Sequence, residues 1–384
     1  MLPLKYRPNS GEAIVYPAGQ QGGKPRLDSL RQTTPYFRPS RPGLSSQAQC
    51  NAVRWMTTPS SFGVCVCMFN ASISQLTTSR WELPEEIAHC TEHGFNAISV
   101  WRPKLSDMGV ASAAALLASA GMEVSSVQWA GGFTGSDGRS FDESVADAID
   151  AIEATQMLGA CVLIVHSGCR GGHTLNHAHR LLRQAIEVIA PVARRKGVTL
   201  AIKPIHAAAA TGCSFLTQLC EALQLVERLN DSAVGLSLDL WQFGHKPELF
   251  KLLPRLAAST AVVQVADRLG PPSGEQERLP ASRGSLPLEA LVAGLIEFGY
   301  AGQIEFDPVG EAVEEIGYER VLAETRVLAD AWNAEQSSAL FEQGQTLNPL
   351  ASTVPIETCE PWNIQLRSTP SRRSHASSHT VSRG

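Results

Sequence analysis

A lysine and a histidine close a short strand-like run, TLAIKPIHA, at residues 199–207. At the end of a buried strand the ammonium group of Lys203 can neutralise carboxylates, and a lysine in its amine form can make a Schiff base with a carbonyl compound. Asp239 and Asp307 lie at the ends of two further strand-like runs, VGLSLDL and QIEFD. Carboxylates and a histidine such as His206 are common acid–base groups in enzymes. These residues predict acid–base chemistry if the fold brings the strand ends together.

Five other polar or aromatic side chains lie at the ends of strand-like runs. They are Trp101, Trp129, His166, Trp241 and Gln264. The tryptophan rings could present flat apolar faces to sugar C–H groups, or could pack as plugs and loop anchors. His166 and His206 could line a pocket or be structural residues held by hydrogen bonds. Arg278, in the loop GEQERLP, could hold a phosphate or carboxylate of a ligand, or be a solvated loop arginine.

Eight β-rich runs alternate with helical patterns along the chain. The runs are ASISQL (71–76), NAISVW (96–101), MEVSSVQW (122–129), CVLIVH (161–166), TLAIKPI (199–205), VGLSLDL (234–240), AVVQVA (261–266) and QIEFD (303–307). Strands alternating with helices indicate βαβ units and a parallel sheet. Eight units over about 260 residues predict an α/β fold of the (β/α)8 TIM barrel type, whose chemistry lies at the carboxyl ends of the strands. An open doubly wound sheet is disfavoured because no GxGxxG motif follows the first strand.

The two ends of the chain differ from this central part in composition. Residues 1–67 are basic and rich in Pro and Gly, and residues 336–384 end in a Ser/Arg-rich stretch. Neither has an amphipathic period, so we expect disordered extensions, unless translation starts at Met56 or Met68. The barrel is expected to form a single domain over residues 68–335.

Charge and hydropathy argue against two classes of partner. The chain carries 32 Lys and Arg against 37 Asp and Glu, and residues 61–334 alone have a net charge of −11. This acidic body argues against nucleic acid, because phosphate backbones bind basic faces. The longest apolar run near the start, FGVCVCMF, is too short to cross a bilayer, so we predict no membrane partner and a cytoplasmic location. The nine cysteines form no CxxC pair and are expected to be reduced thiols.

Six segments, in a fixed order, resemble one known family. They are ISQLTTSRWELPEEIAHCTEHGFNAISVWRPKL, VHSGCRGGHTLNHAHRLL, GVTLAIKPIH, VGLSLDLWQFGHKPEL, VVQVADRLGPPSGEQERLP and GYAGQIEFDPVG. Over roughly residues 70–333 the chain resembles the xylose isomerase-like TIM barrels, usually labelled sugar phosphate isomerases/epimerases. The resemblance implies a sugar or sugar phosphate as ligand and proton transfer beside a sugar carbonyl as the reaction. It leaves the oligomeric state open, with a homo-oligomer as one alternative.

Members of this family usually bind one divalent metal ion, such as Mn²⁺, Mg²⁺, Co²⁺ or Zn²⁺, at the ends of strands five to eight. The resemblance places three of the four ligand positions at Asp239, Gln264 and Asp307. The remaining ligand, a glutamate in the family pattern Ala-Ile-Glu-Pro-x-His, falls on Lys203 of AIKPIH. Gln242 also stands where the family has a histidine, and PASRGSLPL replaces a Gly-acid-Gly turn.

The lysine at a ligand position predicts a degenerate metal site, or one that binds no metal. Two unit charges 4 Å apart interact by about 4 kcal/mol at an effective dielectric constant of 20, and a divalent ion carries two charges. We expect the ammonium of Lys203 to pair with Asp239, Asp307 or both instead. The same two carboxylates would stabilise the ammonium form over a Schiff-base nucleophile.

Two functions of different classes follow from these residues. In an isomerase or epimerase, Asp239 and Asp307 would be the base candidates, and His206 and Lys203 would stabilise the negative charge of the enediolate. The alternative is a non-catalytic barrel that binds a sugar or a protein. Metal content would distinguish the two, since a stoichiometric ion favours the enzyme.

Overall fold

The computed structural model describes residues 69–344, apart from residues 211 and 275. The predicted extension at residues 1–67 lies outside the described residues, as does the tail from residue 345 onward. The last helix continues to Gly344, beyond the domain boundary expected at residue 335. The division into one barrel domain and two extensions therefore stays a prediction.

Eight strands and ten α-helices alternate along the described chain. The strands are β1 (Asn70–Ser74), β2 (Ala97–Trp101), β3 (Glu123–Gly131), β4 (Val162–His166), β5 (Thr199–Lys203), β6 (Val234–Asp239), β7 (Thr260–Val265) and β8 (Gln303–Phe306). The helices are α1 (Leu83–Glu92), α2 (Val110–Ala120), α3 (Phe141–Met157), α4 (Leu175–Lys196), α5 (Leu219–Leu229), α6 (Leu240–Phe243), α7 (Leu249–Ser259), α8 (Leu288–Glu297), α9 (Glu311–Ile316) and α10 (Tyr318–Gly344), and a 3-10 turn spans Arg102–Leu105. Each strand pairs in parallel with the next, and β8 pairs with β1 to close the barrel. The predicted (β/α)8 barrel is confirmed.

The strands bury both faces, which explains why they read as nearly continuous apolar runs. Outward residues such as Ile98, Leu163 and Leu200 belong to the large core that packs against the helices. Alternate residues form a separate, smaller cluster of Val162, Ile164, Ala201 and Val262. Since successive side chains in a strand point to opposite faces, this second cluster fills the inside of the barrel.

Local signals set the ends of the helices that carry the loops. Thr174 caps the start of α4 by accepting a hydrogen bond from the backbone amide of His177. Gly197 ends the same helix in the left-handed conformation, at φ 69°. At the far end of the chain, the buried Asn333 of α10 bonds both the backbone amide and the carbonyl of Phe69. The last helix therefore holds the beginning of β1.

Two further predictions can be compared with the described residues. Cys90, Cys169 and Cys213 are free thiols, but Cys161 is disulfide-bonded, so the expectation of reduced cysteines is wrong at that position. No helix in the described part of the chain is both long and apolar enough to cross a membrane.

Candidate active site at the carboxyl ends of the strands

The strand ends β5 to β8 bring the predicted polar residues together. The Lys203 ammonium lies 3.0 Å from Asp239 Oδ2 and donates to Gln264 Oε1 at 2.5 Å. Asp239 ends β6 and is fully buried, and its Oδ1 also accepts the backbone amide of Trp241. Lys203 itself is only 8% exposed. The predicted pair between Lys203 and Asp239 is therefore present.

Arg278 is the second cation of this cluster and contacts both carboxylates. Its guanidinium donates to Asp239 Oδ2 at 3.0 Å and to Asp239 Oδ1 at 3.1 Å. It also donates to Asp307 Oδ1 at 2.6 Å and to the Asp307 carbonyl at 3.1 Å. Two isolated β-bridges hold the loop that carries Arg278 over the barrel mouth. One joins Arg278 to Val309, and the other joins Leu279 to Asp267. Arg278 thus binds two carboxylates of the protein itself. Within the described chain the ion pair of Lys203 is with Asp239, and none forms with Asp307.

Burial and nearby charges shift the pKa values of the two carboxylates in opposite directions. Burial alone would raise the pKa of Asp239, but the charges of Arg278 and Lys203 outweigh it and hold that pKa below the ordinary value. For Asp307 burial dominates and raises the pKa to about 7, against the lowering effect of Arg278. Burial would lower the pKa of Arg278, yet the two carboxylates raise it. The cluster thus holds one permanent anion and one carboxyl that can exchange a proton near neutral pH.

Few hydrogen-bonding positions of the cluster remain open. Lys203 uses two of its three N–H groups, and Arg278 uses four of its five. Within the described chain, one N–H of each cation has no acceptor. Asp307 Oδ2 has no donor in the same region, whereas both oxygens of Asp239 accept two hydrogen bonds. The free positions are therefore two cationic donors and one carboxyl oxygen.

A third acid, Glu305, lies deeper in the barrel. It is fully buried, and it accepts Ser125 Oγ at 2.8 Å and Gln264 Nε2 at 3.2 Å. Burial raises the pKa of Glu305, despite its hydrogen bonds. Gln264 therefore bridges Lys203 and Glu305 through its two amide atoms.

His166 and Trp129 form the wall beside Lys203. His166 is the Cα partner of Lys203 in the β4–β5 ladder, and its ring lies 5.2 Å from the Trp129 indole. Burial, followed by the charge of Lys203, lowers the pKa of His166 to about 3. The imidazole is accordingly neutral at physiological pH and is suited to hydrogen bonding with a hydroxyl group.

Two of the predicted aromatic residues have packing roles or lie apart. Trp241 is buried, donates its indole N–H to the Glu277 carbonyl, and has the Arg278 guanidinium 5.3 Å from its ring. Trp101 lines a separate cleft of about 660 Å³ together with Arg102 and Trp129. That cleft lies between β2, β3 and the helices that follow them.

His206 lies at the edge of the cluster, next to residues that the sequence did not single out. Its ring is 5.6 Å from that of His245, and its backbone amide donates to Gln242 Oε1. Arg268 and His245 were missed because each comes after an apolar run and resembles an ordinary loop residue. Glu305 stands out in the sequence as a charged residue inside the apolar run QIEFD.

A sequence comparison with known families decides the affiliation of the chain. The profile of the xylose isomerase-like TIM barrels matches residues 87–325. The chain belongs to this family. A comparison with curated proteins gives no significant match.

Solved structures of several other proteins share the fold at low sequence identity. A protein of Sinorhizobium meliloti 1021 has a TM-score of 0.61 at 22% identity, over 67% of this chain and 96% of its own. The IolI protein with a bound zinc atom has a TM-score of 0.59 at 16% identity, over 71% and 99%. An L-ribulose 3-epimerase has a TM-score of 0.58 at 16% identity, over 74% and 100%. At these identities the likeness establishes the fold alone.

The residues at the four family ligand positions do not fit a divalent ion. Lys203 supplies a positive charge in place of a ligand, and its hydrogen bond occupies Gln264 Oε1. The lone pairs of Asp239 are taken by Lys203, Arg278 and the Trp241 amide. No group of three His, Cys, Asp or Glu side chains suited to a metal occurs among the residues that the structure describes.

Proposed function

We propose that the protein is a sugar isomerase or epimerase of the xylose isomerase-like family in which two side-chain cations replace the metal ion. One observation carries the proposal: Arg278 bridges Asp239 and Asp307, while Lys203 binds Asp239 from the end of β5. Both cations are held by the protein before any ligand arrives. Preorganised positive groups of this kind stabilise the negative charge that develops on a carbonyl oxygen.

The reaction class is proton transfer at the carbon beside a sugar carbonyl. Asp307 Oδ2 would remove that proton, because it has no hydrogen-bond donor within the described chain and its pKa is raised to about 7. As the C–H bond breaks, its electrons form the enediolate double bond and negative charge moves to the carbonyl oxygen. The unused N–H groups of Lys203 and Arg278 would stabilise that oxygen. Isomerisation results when the proton returns to the former carbonyl carbon while the hydroxyl proton on the first carbon moves to the former carbonyl oxygen. Epimerisation results when a solvent proton reaches the opposite face of the first carbon, while Asp307 keeps the proton that it removed.

The walls of the barrel mouth suit a polyhydroxylated ligand. His166 supplies a neutral imidazole, and Trp129 presents an indole beside it. An aromatic face next to hydrogen-bonding groups binds sugars through C–H contacts and hydroxyl groups together.

The second candidate function is sugar binding without catalysis. It is favoured by the extent of ion pairing, because Asp239 is completely satisfied by Arg278 and Lys203. A cluster that neutralises itself can stabilise the barrel with no reaction to perform. In that case Asp307 would bond Arg278 only as part of the structure.

Solvent deuterium exchange separates the two functions. The full-length protein is incubated in D₂O with a panel of ketopentoses and ketohexoses, free and phosphorylated, and the C–H signal beside the carbonyl is followed by proton NMR. The enzyme proposal expects loss of that signal for at least one sugar, unchanged by excess EDTA. The Asp307→Asn variant should lose about 10²–10⁴-fold in rate, while Asp330→Asn, on the exposed face of α10, should not.

The result also decides which function stands. A sugar that binds and perturbs the NMR spectrum without exchanging deuterium supports the non-catalytic barrel. Exchange abolished by EDTA and restored by Mn²⁺ would overturn the replacement of the metal by Lys203 and Arg278.

A further inference from the structure

Four basic side chains gather on the loops after β5, β6 and β7, next to the acid cluster. They are His206, His245, Lys246 and Arg268. Trp241 joins the two clusters, because its ring lies 5.8 Å from the Arg268 guanidinium and 5.3 Å from that of Arg278. The basic group therefore faces the same end of the barrel as the candidate active site.

Arg268 brings a positive charge that no carboxylate hydrogen-bonds within the described chain. It is fully buried, and it donates to the carbonyls of Trp241 and Gly270 and to His245 Nδ1. Its neighbour Asp267 instead accepts backbone amides through Oδ1. Burial lowers the pKa of Arg268, and the charges of Asp267 and Asp239 offset this only in part. A buried guanidinium whose hydrogen bonds all go to neutral acceptors favours an anion nearby.

The contacts of the two histidines fix which nitrogen carries the proton. Arginine only donates, so His245 Nδ1 must accept the bond from Arg268, at 2.6 Å, and the hydrogen of the neutral ring lies on Nε2. His206 Nδ1 likewise accepts the amide of Ala208, at 3.3 Å. Both rings therefore offer an Nε2–H donor. Burial, with the charges of Arg268 and Lys246, lowers the pKa of both histidines, so the donors are neutral imidazoles.

Lys246 adds a half-buried ammonium to these donors. Its Nζ lies 5.6 Å from the centre of the Phe243 ring, and the His206 ring lies 6.0 Å from the same ring. The lysine ion pairs among the described residues are those of Lys104, Lys196 and Lys203, so no described carboxylate lies within 4 Å of Lys246 Nζ. Glu248 is the acidic group whose charge acts on His245, and it is exposed. The described cluster thus combines two cations with two neutral N–H donors.

We propose that His206, His245 and Lys246, supported by the buried Arg268, form an oxyanion-binding subsite at the barrel mouth. The ligand would be a sugar derivative that carries a phosphate or carboxylate group, which this subsite holds while the rest of the molecule reaches Asp307. The sugar part of this inference rests on the proposed function, whereas the anion site does not. Charge-assisted hydrogen bonds from several converging donors are the usual way in which proteins hold such groups.

The test is a titration of the full-length protein with inorganic phosphate and, separately, acetate at constant ionic strength near neutral pH. Histidine C2–H signals are followed by NMR, with His206→Asn and His245→Gln used for assignment. We expect saturable shifts of both histidines, and a loss of affinity of about fivefold or more in Lys246→Met. Lys196→Met is the matched control, because Lys196 lies at the opposite end of the barrel, paired with Glu153, and phosphate affinity should not change.

Tighter binding of phosphate than of acetate identifies a phosphorylated ligand, and the reverse identifies a carboxylate. Absence of saturable shifts, or equal phosphate affinity in the wild type and Lys246→Met, overturns the subsite. An equal loss of affinity in Lys196→Met does the same, because it marks nonspecific charge attraction. Phosphate binding without deuterium exchange in any sugar would support the subsite and overturn the proposed enzyme activity. Deuterium exchange without phosphate binding would support the enzyme activity and overturn the subsite.

Discussion

The Arg278 guanidinium donates hydrogen bonds to both Asp239 and Asp307. These bonds determine how readily each of the two carboxylates is protonated. Two carboxylates so close together in a buried place repel each other unless a positive charge lies between them. Arg278 provides that charge with two N–H groups to Asp239 and one to Asp307, and Lys203 adds a second cation on Asp239. The resulting balance ionises Asp239 fully and leaves Asp307 able to take up a proton.

The two cations should differ in their contribution to stability. Arg278→Met leaves both carboxylates without their shared donor and should lower the free energy of unfolding by about 3–5 kcal/mol. Lys203→Met leaves Asp239 bound to Arg278, so its cost should be smaller, about 1–3 kcal/mol. Urea unfolding of the two variants measures this order. A larger loss in Lys203→Met would show that Lys203, and not Arg278, is the main counter-charge.

His166 should make stability depend on pH. Its folded pKa of about 3 lies below the ordinary value of 6.5, so its contribution is fully present above about pH 6.5 and is lost as pH falls toward 3. His166→Gln removes this titration. Relative to that variant, the wild type should lose stability between about pH 7.5 and about pH 5 in urea unfolding. Parallel pH curves for the two proteins are the contrary outcome.

At this scale the sequence predicted part of the site. It predicted that Lys203 pairs with Asp239, because a lysine replaces a family ligand beside an acid. It could not predict that Arg278 binds both acids, because that contact depends on a loop folding back onto Val309. The sequence shows directly which residues are charged. It does not show that the loop carrying Arg278 folds back over the strand ends, because that depends on tertiary contacts.

The ends of the strands and the turns that follow them position the site. Predicted and observed strands agree within about two residues, since β-rich runs bounded by helix stop signals are strong local patterns. The strands β5 to β8 place Lys203, Asp239, Gln264 and Asp307 on one rim, as the barrel topology requires. Trp101 is the last residue of β2, yet it lines a different cleft together with Arg102.

The close approach of β3 to β4 depends on Gly131. A Cβ atom there would lie 2.0 Å from the carbonyl oxygen of His166, and φ is 137°. Gly131→Ala should therefore force the two strands apart at the mouth and lower the free energy of unfolding by more than about 2 kcal/mol. The control is Gly159→Ala, which also has a positive φ, of 75°, but no atom within 4 Å of the added Cβ, and should cost about 1–2 kcal/mol. Thermal unfolding compares the two, and equal losses would argue against the steric contact.

On the scale of the whole molecule, an acidic chain encloses a basic centre. Residues 61–334 carry a net charge of −11, yet the mouth of the barrel holds Lys203, Arg278 and Arg268 within its loops. This separation favours small anionic or polyhydroxylated ligands over nucleic acid, whose backbone would meet an acidic exterior. The fold could be predicted from the sequence because its strand and helix patterns are local and are repeated eight times. The charge pattern of the mouth required the structure, because Lys203 ends β5 whereas Arg268 and Arg278 lie far along the chain in the loop after β7.

Metal titration of the purified full-length protein tests whether Lys203 and Arg278 take the place of a divalent ion. The protein is dialysed against EDTA and then against buffer, and Mn²⁺ and Zn²⁺ are added while bound metal is measured by calorimetry and elemental analysis. We predict binding far below one ion per chain for the wild type, because Lys203 and Arg278 occupy both oxygens of Asp239 and one oxygen of Asp307. The double variant Lys203→Glu with Arg278→Ala, which restores the family's ligand types, should take up one ion per chain. One tightly bound ion in the wild type, lost in Asp239→Asn, would contradict the account.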